Sequence, residues 1–122
     1  MRAAKTLERA GYDTMADTDG MTPEQLAVDD AVASWPGVRR KRVFGARGFV
    51  RGRVMFAFLT GDRVAVKAPT PDDVAALYSR PEVMPFAYNE MVMRAWPLLP
   101  LRSDDDLEEA LTAARRAYEA AG

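Results

Sequence analysis

Residues 38–67 read VRRKRVFGARGFVRGRVMFAFLTGDRVAVK, and this stretch decides the fold. Its apolar, aromatic and β-branched residues fall in short runs at 38–44, 48–51, 54–60 and 63–67. Between the runs lie Gly45-Ala46-Arg47, Gly52-Arg53 and Gly61-Asp62, which read as turns. At these lengths antiparallel hairpins are the economical connection, so the spacing predicts a meandering β-sheet.

Helical signals flank the meander on both sides. Thr22-Pro23-Glu24-Gln25 has a hydroxyl at the N-cap, proline at the first helical position and glutamine three residues after the cap. Val28, Ala31, Val32 and Trp35 follow with helical spacing, and Pro36-Gly37 ends the segment. Thr70-Pro71-Asp72-Asp73 repeats the cap and opens a short helix with Val74, Leu77 and Tyr78 on one face, stopped by Pro81. Residues 84–88 and 91–96 read as two further strands, the second running out at Pro97 and Pro100. Ser103 caps a last helix whose first turn is Asp104-Asp105-Asp106 and whose stripe is Leu107, Ala110, Leu111, Ala114, Tyr118 and Ala121. The expectation is a two-layer α+β domain with an antiparallel sheet of about five strands, in the order helix, three or four strands, helix, two strands, helix. It should occupy residues 22–122. Residues 1–21, a short helix stopped by Gly11 and then a polar linker, read as an N-terminal extension.

Composition narrows the chemistry. The 122 residues include no Cys and no His, so thiol nucleophiles, disulfides, thiolate metal sites and imidazole bases are excluded. Ser-His-Asp and Cys-His catalysis and zinc sites fall with them. The expectation is a protein that is not an enzyme and needs no cofactor or metal. Asp17-Thr18-Asp19-Gly20 looks like part of a calcium loop, but the pattern would put Met15 and Leu26 at its terminal ligand positions, where neither can coordinate. No apolar run approaches the roughly 20 residues of a membrane span, and the N-terminus lacks the apolar core of a signal peptide. The chain reads as cytoplasmic, without a membrane partner.

Two constellations within the meander concern binding. Arg39, Arg40, Lys41, Arg42, Arg47, Arg51 and Arg53 are seven of the 17 basic residues, with no acidic residue among positions 38–53, although the formal net charge is −1. Such a block could grip nucleic-acid phosphates, with Phe44 and Phe49 as stacking surfaces. The competing reading has Arg40 and Arg42 on one strand face, Arg39 and Lys41 on the other, pairing with the acidic helices. The second constellation is the strand at 54–59, in which both alternating sets, Val54/Phe56/Phe58 and Met55/Ala57/Leu59, are apolar. A strand apolar on both sides needs a second cover: a partner subunit, the N-terminal helix, or an apolar ligand. The leading expectation is a homodimer through Val54, Met55, Phe56, Phe58 and Leu59. Nucleic-acid binding through residues 39–53 and a small-molecule pocket are the alternatives.

The same residues carry a family resemblance. Arg42-Val43-Phe44-Gly45, then Gly48, Gly52, Val54-Met55-Phe56-Ala57 and Val66-Lys67, resemble the N-terminal domain of the TfoX/Sxy family. Pro85-Phe86 and Met93-Arg94-Ala95-Trp96 look like that family's later strands. Each motif is short, and their order and spacing give the set its specificity. Val43 departs from the family's usual Met. Trp35-Pro36-Gly37-Val38 and Arg80-Pro81-Glu82-Val83 also resemble the related MmcQ/YjbR group. The resemblance implies a two-layer fold like secretion-chaperone-type domains, and it brings no catalytic residues. The family's namesake regulates competence genes, so a regulatory interaction domain is implied. The chain, ending at Gly122, is expected to lack the family's C-terminal helical domain.

Overall fold

A computed structural model describes residues 20–43 and 45–122. Phe44, most of the 1–21 extension and the calcium-loop fragment at 17–19 lie outside the described residues. Among these, three helices and six strands follow in the order α1 (Pro23–Ala33), β1 (Val38–Val43), β2 (Ala46–Arg51), β3 (Val54–Thr60), β4 (Arg63–Val66), α2 (Pro71–Tyr78), β5 (Met84–Tyr88), β6 (Met91–Leu99) and α3 (Asp104–Ala121). All strand pairs are antiparallel, and the sheet order is β1-β2-β3-β4-β6-β5. The expected α+β architecture is present, with six strands where about five were expected.

The cap chemistry sets the helix starts. Thr22 Oγ1 accepts from the Gln25 amide at 3.0 Å while the Gln25 side chain accepts from the Thr22 amide at 3.1 Å, a reciprocal capping box. The Gln25 amide group then donates to the Gly61 and Arg63 carbonyls, which ties α1 to the β3–β4 turn. The Ser103 hydroxyl accepts from the Asp106 amide and the Asp106 carboxylate accepts from the Arg102 amide at 2.8 Å, so Asp106 belongs to the start of α3. Gly45, Gly52 and Gly61 each open a turn at positive φ.

Helices α1 and α3 cover one sheet face. Val28 and Val32 from α1, Phe49, Phe56, Leu59, Val64 and Val66 from the sheet, and Ala110, Ala113, Ala114, Ala117 and Tyr118 from α3 form the main core. Ala113 and Ala117 were not in the predicted stripe: alanines let α3 approach the sheet closely. At one end Trp35, Phe56 and Tyr118 meet as aromatic rings 5.2–6.4 Å apart, and the Tyr118 hydroxyl donates to the Pro36 carbonyl at 2.7 Å.

The doubly apolar β3 has a local cause. Opposite β2, Phe49 pairs with Ala57 but Val50 pairs with Met55, so Phe56 is an extra residue in a bulge. The bulge re-phases the strand: Phe56, Ala57 and Leu59 join the helix-side core, whereas Met55 and Phe58 belong to a second cluster on the other face. The alternation read from sequence is therefore corrected at Phe56. The second cluster buries Phe58, Ala65 and Phe86, with Met55, Met93, Trp96 and Leu98 packed around them. A strand end is corrected too. β6 does not stop at Pro97 but runs to Leu99, because Pro97 lies opposite Pro85 beside an irregularity, where neither residue has an N–H to offer. β2 likewise begins at Ala46, two residues before its predicted start, and pairs with Val43.

Candidate functional site

The basic block divides by face. Arg40 forks onto Asp29 of α1, Nε and NH2 each 2.9 Å from one carboxylate oxygen, and Arg47 NH1 lies 3.1 Å from the same carboxylate. The Asp29 and Arg47 side chains are only 9% and 8% exposed, so this triad belongs to the interior. Arg51 donates to the Tyr118 carbonyl at 2.9 Å and lies over its ring at 4.1 Å. Arg40, Arg47 and Arg51 thus join the meander to the helix layer. Arg39, Lys41, Arg42 and Arg53 remain exposed; Arg39 donates to the Gly52 carbonyl and Arg42 to that of Gly45. Asp29 was missed as a partner because pairing across 11 and 18 residues leaves no local signal.

The strand residues read as an interface divide as well. Phe56, Phe58 and Leu59 are at most 4% exposed within the single chain, so their cover is intramolecular. Phe58 lies 4.8 Å from the Phe86 ring and 5.2 Å from Trp96. Val54 is at the surface and Met55 half-buried. Exposed apolar surface is found instead on the β5–β6 hairpin, where Met84, Tyr88, Met91 and Val92 are 46–66% exposed. Tyr88 pairs with Met91 and Phe86 with Met93, so by alternation Met84, Tyr88 and Met91 share the face of the second cluster and extend it toward the hairpin tip, whereas Val92, opposite Ala87, lies on the other face. Asn89 opens that tip at φ 56, a conformation asparagine tolerates.

The two sheet edges differ in kind. β1 is one edge, and its outer face carries Arg39 and Lys41, the charges that normally discourage edge-to-edge pairing. β5 is the other, with Met84 and Tyr88 exposed and only Pro85 as a guard.

A cleft of about 380 Å³ lies between α2 and α3 over the end of β4. None of the α2 residues is buried; an ion pair links the two helices, Asp73 to Arg116 at 2.6 Å, and Arg80, just past the end of α2, pairs with Glu109 of α3. The Arg116 and Thr70 hydrogen bonds lower the Asp73 pKa, and the Arg102 amide lowers that of Asp106. Among the described residues no group of three or more His, Cys, Asp or Glu is placed to hold a metal. No described helix is long and apolar enough to cross a membrane.

The model of the TfoX N-terminal domain family matches residues 30–121. The chain belongs to that family. The match begins within α1 and takes in every strand and both later helices, so the whole sheet with its bulge and hairpin is the family's domain. No curated protein and no solved structure matches the chain.

Proposed function

We propose that this TfoX N-terminal-type domain is a non-enzymatic interaction module that pairs with a second copy of itself through the β5–β6 edge. The observation that carries the reading is the contrast between the edges: charge guards β1, whereas β5 and its hairpin expose four large apolar side chains. An antiparallel edge strand meeting its own copy about a twofold axis is self-complementary, so one patch serves both subunits. The absence of His and Cys from the chain supports a binding role over catalysis.

Light scattering on a size-exclusion column tests this. The chain at tens of micromolar is expected to elute at twice the 13.5 kDa chain mass. Met91→Lys, at a position 66% exposed and therefore harmless to folding, should elute as a monomer. A monomeric wild type, or a Met91→Lys dimer of undiminished affinity, removes the proposal.

A further inference from the structure

We propose that the cleft between α2 and α3 binds a small organic monocation: an apolar body on the cleft floor with a protonated amine at its mouth. The proposal is independent of self-association, which concerns the opposite sheet face and its edge. Volume and lining give the body. The cleft has ligand-site dimensions, and Val66, Ala68, Pro69, Leu77 and Ala113 line it with small or apolar groups. The Asp73–Arg116 pair between the helices and the Arg80–Glu109 pair just past the end of α2 frame the space on both sides.

Charge gives the head group. Five charged residues line the cleft: Asp73, Arg80, Glu108, Glu109 and Arg116. Arg116 neutralises Asp73, and Arg80 is shared among Glu82, Asp106 and Glu109. Of the three carboxylates that line the cleft, only the exposed Glu108 has no ion-pair or side-chain hydrogen-bond partner among the described residues. The lining therefore holds three carboxylates against two guanidiniums, and a bound amine would balance the remaining charge.

Hexylammonium, hexanoate and 1-hexanol, titrated separately into the ¹⁵N-labelled full chain, test the proposal. Hexylammonium is expected to shift the amides of Ala68, Ala76, Leu77 and Ala113 saturably, with hexanoate binding at least about fivefold more weakly. Glu108→Gln should weaken hexylammonium by about threefold to fivefold, the scale of an exposed ion pair, and leave hexanol unchanged. Ala76→Trp, at an exposed position on the lining, should abolish binding of all three while the melting transition persists. Hexanoate binding as tightly as the amine, an unaffected Glu108→Gln variant, or shifts confined to residues outside the cleft would overturn it.

Discussion

Asp29 is a carboxylate on a helix face that otherwise carries Val28 and Val32, and it is held by two guanidiniums in a site where its side chain is 9% exposed. Removing it takes the opposite charge away from the buried Arg47 guanidinium, the costly way to break such a group. Asp29→Ala is therefore expected to lower the free energy of unfolding by about 3 kcal/mol in urea titrations, whereas Arg39→Ala, at an exposed site, should change it by less than about 0.5 kcal/mol. Equal effects would mean that the two faces of β1 are not distinguished by Asp29. The acid limb of stability is also set by single residues. Asp73 and Asp106 are both depressed below the usual carboxylate pKa, the first chiefly by the Arg116 hydrogen bond and the second chiefly by the Arg102 amide. A depressed carboxylate stabilises the fold above its unfolded value of about 3.9 and loses that contribution as pH falls through its lower folded value. With no His to titrate near neutrality, the urea midpoint should stay level between about pH 5.5 and 7.5 and decline below about pH 4. Asp106→Asn should flatten part of that decline, and a midpoint that moves between pH 6 and 7 would contradict the assignment.

Strand β2 shows how much of an element is legible before its neighbours are known. Its glycine spacing marks the hairpins, and the caps at Thr22, Thr70 and Ser103 mark the helices, since both depend on residues close in sequence. The bulge at Phe56 was not legible, because it arises from how β3 pairs with β2. That one residue turns an apparent two-faced strand into two ordinary faces and moves the exposed apolar surface to β5–β6. Gly48 is the other consequence of the pairing. A Cβ placed there would lie 3.0 Å from the Lys41 carbonyl oxygen, 3.0 Å from Val43 Cγ1 and 3.1 Å from Met55 Cε. The methyl groups can yield by a few tenths of an ångström, but the carbonyl belongs to a paired strand. Gly48→Ala is therefore expected to destabilise by about 1–3 kcal/mol, opposite in sign to the usual gain from limiting an unfolded chain's freedom. A gain in the urea midpoint would show that the β1–β2 pair shifts to admit the methyl.

Across the molecule the helix layer is held unevenly. α1 and α3 each bury a run of side chains against the sheet, whereas α2, eight residues long, buries none. The sequence stripe of Val74, Leu77 and Tyr78 was read correctly as one face, but nothing local reveals that the facing alanines of α3 leave space rather than fill it. Leu77 and Tyr78 pack only partly buried against the core, and polar links supplement them: Asp73 to Arg116, Arg80 just past the helix to Glu109, and the Tyr78 hydroxyl donating to the Arg94 carbonyl at 2.8 Å. Exposed ion pairs of this kind contribute about 0.2–1 kcal/mol each and weaken as salt shortens the screening length from about 10 Å at 0.1 M to 3 Å at 1 M. Native-state amide exchange should therefore find α2 opening at a free energy at least about 2 kcal/mol below that of α3. Raising sodium chloride from about 0.1 to 1 M should lower the protection of Val74 to Tyr78 further while leaving Ala114 and Ala117 unchanged. An occupied cleft would add apolar contact to the little that Leu77 and Tyr78 make, so a saturating ligand should raise α2 protection toward that of α3. If α2 instead exchanges together with α3 at every salt concentration, its attachment is part of the cooperative core and the polar links are incidental to it.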